Sequence, residues 1–347
     1  MRHTIFGESH GPAIGVTLMG VPAGLLLDFE QIAREMARRA PGRDRFSTAR
    51  KEADQVQILS GLFEGRTTGT PLCAIIANTD TRSKDYQPNL PRPSHGDYTG
   101  FVRYAGANDY RGGGHFSGRL TAPLVFAGAV AKQILAQRGI TIGAHILQIG
   151  KVQEVSFLQQ RPDAKLLEKL AAAEFPALEQ AVAMQAEIEA ARAAGDSVGG
   201  VIECAVLGVP AGCGAPDFGE NVEGIVAQQL FAIPAVKGVA FGAGYGLAAM
   251  RGSQANDPIE KCGDQIVTGT NYAGGVNGGI TNGMPLLFTA AFRPTPSISL
   301  PQKTVDLATG KPATLQIHGR HDPCVVHRAV PVVEAAAALA ICELLGI

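Results

Sequence analysis

Residues 55–77 read QVQILSGLFEGRTTGTPLCAIIA, and this stretch decides the fold class. Two apolar, β-leaning runs, 55–63 and 71–77, flank GRTTGT, whose glycines and threonines suit a chain reversal. They predict neighbouring strands that pair with each other, with no crossover helix between them. Upstream, 12–27 is also apolar and β-leaning, broken by Gly15, Gly20 and Pro22. Asp28 then caps a predicted helix from about 29 to 40, ended by Pro41-Gly42. Downstream, 121–138 predicts a helix that begins at Thr121 and stops at Gly139. Residues 163–194, rich in Ala, Glu, Lys and Gln, predict one or two helices broken near Pro176. Strand character returns at 198–210, 284–292 and 313–318, and a strand with a glycine turn is expected at 237–246. Further helices are expected near 219–231 and from about 329 to the end. Strands come as neighbours and helices as separate runs, without βαβα alternation. The expected class is therefore α+β, as one domain over 1–347.

Composition sets the outer limits. With 46% hydrophobic and 18% charged residues, the 347-residue chain can bury a substantial core. Forty-three glycines imply many tight turns and close backbone approaches, as in loops that wrap a ligand. A net charge of −1 makes the molecule as a whole no electrostatic match for nucleic acid. The six cysteines form no C-x-x-C pair and read as reduced, mostly buried thiols of a cytoplasmic protein. No apolar run approaches the roughly 20 residues of a membrane span, and no signal-peptide pattern precedes GESHG.

Four polar segments marked by glycine or proline read as pieces of one site: GESHG (7–11), PSHGDY (93–98), RGGGHFSGR (111–119) and GRHDPC (319–324). His10 and His95 sit among small turn residues, where an imidazole can exchange a proton with a ligand or simply make a turn hydrogen bond. Between 34 and 51 lie Arg34, Arg38, Arg39, Arg43, Arg45, Arg50 and Lys51, against Glu35 and Asp44. Arg34 and Arg38 share a helix face and repel by about 0.2–0.5 kcal/mol. A solvated basic face explains that cluster, and so does an anion held among forked guanidiniums. Gly112-Gly113-Gly114 ahead of the helix at Thr121 resembles a phosphate cradle at a helix start. GAGYG (242–246) is not G-x-G-x-x-G, which weakens a nicotinamide-dependent oxidoreductase reading. An RNA- or anion-binding protein, motivated by 34–51, is the other rival. His318 and His321 lack a third ligand at a recognised spacing, so no metal is expected. Asp322, between arginine and proline, suits a turn start or a carboxylate base.

In order along the chain, FGESHG, ILSGLFEGRTTGTP with NTDTRSKDY, PSHGDYT, DYRGGG…SGR, AVKGVAFGAGYG, NGGITNG and GRHDPCVVHRAVPVVEA resemble chorismate synthases, from about Ile5 to Glu334. The resemblance implies a β–α–β sandwich, a helical layer between two antiparallel sheets, assembled as a homotetramer. It implies loss of phosphate and a hydrogen from 5-enolpyruvylshikimate 3-phosphate to give chorismate, with reduced FMN as cofactor. No flavin-reductase segment is visible in the sequence, so an external flavin reductant is expected, with reduction of the flavin by the enzyme itself, as in some relatives, the alternative. By position, His10 would donate a proton to the departing phosphate, His95 would stabilise the reduced flavin, and Asp322 would assist hydrogen removal. Ser9 matches the serine beside the first histidine. Arg39 and Arg45 match arginines of the substrate and flavin pocket, positions also read as nicotinamide nucleotide contacts (NADP). His115, Phe116, Ser117, Ala235, Gly278, Arg293, Pro294, Thr295, Pro296, Ser297 and Arg320 match flavin-contact positions. The chain departs from the family where GGGRSSARET becomes GGGHFSGRLT, replacing a cation by His115 and a serine by Phe116. Pro234 replaces an Asn, and the N-terminus lies a few residues short of the usual first strand.

Overall fold

The computed structural model describes residues 1–42, 52, 54–79, 86–317 and 322–347. The two runs flanking GRTTGT do pair: strand Val56–Ser60 lies antiparallel to Leu72–Ala77, with Ile58 opposite Ala74 and a bulge before Ser60. GRTTGT itself is no simple turn. Leu62–Phe63 and Arg66–Thr67 form a small ribbon, and Thr67 is buried against the 22–25 segment, its Oγ1 donating to Pro22 O and accepting from Leu25 N. The first sheet runs Arg2–Gly7, Ala13–Met19, Leu72–Ala77, Val56–Ser60, each neighbour antiparallel. Its first strand is fully paired, from Arg2 opposite Met19 to Gly7 opposite Ile14.

The second sheet runs Val236–Phe241, Leu286–Phe292, Gly200–Leu207, Thr141–Ile149, Val152–Gln153, again antiparallel throughout. Thr141–Ile149 was not expected from the sequence. Its alternation is blurred because Gly143, Ala144, His145 and Ile146 are all buried, as happens when both faces of a strand are covered.

The described α-helices are α1 Phe29–Arg39, α2 Asp97–Arg103, α3 Thr121–Ala136, α4 Ala164–Ala172, α5 Ala181–Ala193, α6 Val222–Phe231, α7 Gly252–Ala255 and α8 Val326–Leu344. Asp28 caps α1 by accepting from Gln31 N, as its position predicts. Residues 163–194 are two helices, with Pro176 between them. Between the first sheet and α3 lie α2 and two 3₁₀ turns, Arg111–Phe116 and Gly118–Leu120.

α1, α3 and α8 form a layer between the sheets, with α3 touching both and α8 lying on the second. α3 is apolar all round and almost wholly buried, the signature of a central helix. α3 and α8 approach closely enough that a Cβ at Gly128 would lie 2.2 Å from Ala335 Cβ, which explains the run of alanines in α8. On the outer face of the second sheet, Phe157, Leu167 and Leu170 pack against Ala205 and Leu287. The fold is α+β, with helices between two antiparallel sheets. No helix among the described residues is long and apolar enough to cross a membrane. All six cysteines are unpaired; Cys204, Cys324 and Cys342 are buried.

Within the helical layer Glu334 of α8 is completely buried. It accepts from Arg38 (2.6 and 2.8 Å), Lys132 (2.6 Å) and Ala144 N (3.1 Å), while Glu35 bonds Arg38 and Lys132 at 2.8 Å. Burial pushes the Glu334 pKa upward, but Arg38 and Lys132 outweigh it and hold the carboxyl at about 2. Arg38 therefore belongs to the core. Arg34 pairs loosely with Asp28 and Glu30 at the surface. The described arginines of the basic cluster, Arg34, Arg38 and Arg39, thus all have carboxylate partners; 43–51 lie outside the described residues.

Candidate active site

A cavity of about 250 Å³ opens where the C-terminal end of α1, the turn before α2, the glycine turn, the 292–297 segment and the start of α8 converge. It gathers Arg39, His95, Phe116, Ser117, Ala235, Arg293, Thr295, Pro296, Ser297 and Asp322 from the expected site residues. The sequence segments far apart in the chain do meet. Arg45 and Arg320 fall outside the described residues, as do His318 and His321.

The glycine turn is built for imidazoles. Gly112 and Gly113 both have left-handed backbones (φ 59° and 87°). A Cβ on Gly112 would sit 2.0 Å from His10 Cε1, and one on Gly113 would sit 2.8 Å from His95 Cε1. The turn is a spacer between two histidines, which gives a steric reason for glycine at 112 and 113.

His10 is anchored through Ser9, a completely buried residue. Ser9 Oγ lies 3.1 Å from His10 Nδ1 and 3.3 Å from Arg111 O, and Ser9 N donates to Gly114 O at 3.1 Å. Tyr86 meets the His10 ring edge-on at 5.4 Å. His95 is anchored differently: its Nδ1 lies 2.6 Å from Asp97 Oδ1, and Asp97 also accepts from Arg92 Nε (2.7 Å), a terminal nitrogen of Arg92 (2.8 Å) and Arg92 N (3.0 Å). Arg92 completes the chain by donating to Ser297 Oγ at 3.1 Å. Burial lowers the His95 pKa, and Arg92 and Arg293 push the same way against Asp97.

Phe116 explains one departure from the family pattern. A Cβ on Gly100 would lie 2.5 Å from the Phe116 ring, and one on Gly96 2.9 Å. The ring thus seats the first turn of α2, and with it the His95 turn, against the cavity wall. His115 faces elsewhere. Exposed and outside the cavity lining, its Nδ1 donates to Gly7 O at 2.9 Å and ties the glycine turn to the first sheet. Gly278 lies in the reversal between Val276–Asn277 and Ile280–Thr281, also away from the cavity.

The cations divide into two kinds. Arg39 and Arg119 share the buried Asp54, Arg119 also reaches Glu52 at 3.2 Å, and Arg39 donates to Thr121 Oγ1 at 3.1 Å. Burial would raise the Asp54 pKa, but the two arginines hold it below the ordinary range. Arg39, expected to meet substrate or nucleotide phosphate, thus lines the cavity with its guanidinium committed to protein partners. Arg328 holds Asp322 at 2.6 Å and donates to Arg39 O at 3.1 Å. Arg293 is the exception: its bond is to Pro294 O (3.0 Å), with no carboxylate partner among the described residues. Beside it, Thr295 Oγ1 is buried without a hydrogen-bond partner among those residues. An unpaired guanidinium, an orphaned hydroxyl and an apolar wall of Phe116, Ile233 and Val332 suit a ligand with an anionic group and a flat apolar body.

Sequence reasoning missed Arg92, Asp97, Asp54, Arg119 and Arg328. Asp97, Arg119 and Arg328 stood inside quoted motifs and Arg92 beside one, but nothing local distinguishes a buried anchor from a turn residue. GAGYG follows strand Val236–Phe241 but leads into a 3₁₀ turn, Gly244–Ala249, with no dinucleotide-type helix.

Comparison with known proteins agrees with this geometry. The sequence pattern of the family described as chorismate synthase matches residues 1–345. A chorismate synthase of Thermococcus kodakarensis is 49% identical over 99% of this chain and 95% of its own length. One of Dehalococcoides mccartyi is 45% identical over 98% of this chain and 93% of its own. A crystal structure of chorismate synthase superposes with a TM-score of 0.77 at 30% identity, covering 99% of this chain and 91% of that one.

Proposed function

The chain belongs to the chorismate synthase family, and from that premise we propose how its own residues carry the reaction. The enzyme is a lyase of the shikimate pathway that removes phosphate and a hydrogen from 5-enolpyruvylshikimate 3-phosphate to give chorismate. The observation that carries the reading is the cavity in which His95, Asp322 and Arg293, with no carboxylate partner among the described residues, converge. The family uses a flavin, and the form we propose here is reduced FMN.

Thr295, Ser297, Arg293, Ala235 and Ser117 would hold the flavin, since the unpaired guanidinium and the unsatisfied Thr295 hydroxyl suit a polar, anionic group against Phe116. Pro294 and Pro296 brace that segment, and Pro296 O accepts from Gln302 at 3.1 Å. When bound and reduced, FMN supplies electron density to a substrate whose departing C–H is poorly acidic. His10, anchored by Ser9, donates a proton to the departing phosphate. His95 would exchange a proton at Nε2 with the ligand held in the cavity. Asp322, oriented by Arg328, assists removal of the hydrogen. Arg39 shapes the wall from within its ion pair, and Arg45, Arg320, Gly278 and His115 remain proposed contacts of substrate or cofactor. Whether Arg39 and Arg45 also meet a nicotinamide nucleotide is tested by NADPH binding.

The enzyme we propose is a cytoplasmic homotetramer fed by an external flavin reductant; its unpaired cysteines suit a reducing compartment. Sedimentation tests the assembly, and replacing dithionite by NADPH tests the reductant. The central experiment is anaerobic: protein, 5-enolpyruvylshikimate 3-phosphate and dithionite-reduced FMN, followed by chorismate absorbance and phosphate release. Product with reduced but not oxidised FMN is expected. A folded protein that gives none would defeat the reading.

A further inference from the structure

We propose that Asp97 is the positioning residue of His95, holding its ring as the Nδ1–H tautomer so that Nε2 is the atom that exchanges a proton in the cavity. The inference rests on the reading that His95 serves a ligand there. Its first support is a distance. Asp97 Oδ1 lies 2.6 Å from His95 Nδ1, and an ionised carboxylate has no hydrogen to give. Two acceptors at that separation would repel, so Nδ1 carries the hydrogen.

The second support is the rigidity of Asp97. Arg92 gives it three N–H groups, two from the guanidinium and one from the backbone. Burial works against the charged form of Asp97, but the Arg92 and His95 bonds hold its pKa far below the ordinary carboxylate range. A terminal nitrogen of Arg92 also lies 3.1 Å from His95 Nδ1. Both are donors, and the guanidinium hydrogen goes to Asp97 Oδ1, 2.8 Å away. Arg92 is steadied in turn by Ser297.

The third support is what remains of the ring. No hydrogen bond from another described residue reaches Nε2. That edge faces the glycine turn, where a Cβ on Gly113 would lie 3.0 Å from it. Glycine keeps the approach open, and the carboxylate behind the ring stabilises the imidazolium that forms when Nε2 takes a proton.

Asp97→Asn discriminates. An amide oxygen in place of Oδ2 keeps two Arg92 donors, which turns the NH₂ toward Nδ1 and makes that nitrogen an acceptor. The ring then carries its hydrogen on Nε2. Nitrogen-15 NMR of histidine-labelled, ligand-free protein should show Nδ1–H for His95 in the wild type and Nε2–H in Asp97→Asn. Turnover with reduced FMN should fall about a hundredfold or more, within the usual range for losing a proton-transfer group, with the substrate KM nearly unchanged. Asp97→Glu, which keeps the carboxylate, should recover the Nδ1–H signal and much of the turnover.

An Nε2–H tautomer in the wild type overturns the proposal, and that spectrum needs no variant to fold. So does wild-type turnover in Asp97→Asn once its tautomer has switched. A wild-type protein that shows Nδ1–H but forms no chorismate would instead count against the assigned reaction, leaving the hold of Asp97 on the ring intact.

Discussion

The two histidines sit in the same tripeptide, Ser-His-Gly, at 9–11 and 94–96, yet the fold anchors them in opposite ways. His10 leans on the serine that precedes it. His95 leans on the aspartate two residues beyond it. The Ser9 hydroxyl has one hydrogen and two neighbours, His10 Nδ1 and Arg111 O. If the hydrogen goes to Arg111 O, Nδ1 donates to Oγ; if it goes to Nδ1, the imidazole reverses its tautomer. A neutral hydroxyl permits both, and a carboxylate permits one. The first arrangement suits a group that gives a proton away and must be reloaded. The second suits a group that works through a single ring atom next to a developing charge. Identical local sequence thus yields two chemistries, because the anchor and not the tripeptide sets the tautomer.

The largest test removes one imidazole. His10→Ala should lower turnover about a thousandfold, within the range for a positioned acid, while the denaturation midpoint stays near the wild-type value. Wild-type turnover in that variant would end the assignment of His10.

The glycine turn lets each histidine be disturbed alone. Gly112→Ala drives a methyl into His10, at 2.0 Å from Cε1, whereas Gly113→Ala meets His95 at 2.8 Å. Both also force alanine into a left-handed backbone, at about 1–2 kcal/mol of stability. Turnover should fall about a hundredfold in Gly112→Ala and less in Gly113→Ala, with the histidine NMR signals of only the adjacent ring displaced. Equal displacement of both rings in either variant would mean that the turn does not separate them.

What could be read in the sequence follows the same division between local and distant partners. The strand pair at 56–77, the Asp28 cap and the two helices flanking Pro176 are set by near neighbours, and the chain displays them openly. The convergence of the polar segments was partly legible, because glycine and proline mark places where packing does not explain a polar side chain: His95, the glycine turn and Asp322 line one cavity, and His10 lies against Gly112. The destinations of the arginines were not legible. Arg38 and Arg39 are adjacent, but Arg38 turns to Glu334, 296 residues away, and Arg39 to Asp54. A reading by local charge assigns both to an anion; only the packing of α8 on α1 and α3 shows that one is core. Strand Thr141–Ile149 escaped for a related reason, since burial on both faces erases the alternation that marks a strand.

Ser9→Ala tests the weaker anchor. A neutral hydrogen bond contributes about 0.5–1.5 kcal/mol, so losing it should cost roughly tenfold or less in turnover. That is well below the effect of Asp97→Asn. If Ser9→Ala proved as damaging as His10→Ala, the serine would itself be handling the proton, and the contrast between the two anchors would collapse.

The smallest expected effect concerns acid. His95 has a folded pKa below the ordinary value of 6.5, chiefly through burial, and so has His3 in the first strand. The unfolded chain therefore takes up these protons before the folded one does. Their contribution to stability is complete above about pH 6.5 and is lost as the pH falls from there through the folded values. The depressed carboxylates Asp54, Asp97 and Glu334 act in a separate, lower window, below about pH 4. Denaturant titrations between pH 7.5 and 5 should show stability declining with acid, and the slope should lessen in His95→Gln, with His3 contributing to what remains. A slope unchanged in His95→Gln would mean that His95 accepts its proton as easily in the fold as outside it. Asp97 would then be offsetting the whole cost of burying the ring, and His95 would titrate in the fold near the ordinary histidine value, still mostly neutral at pH 7.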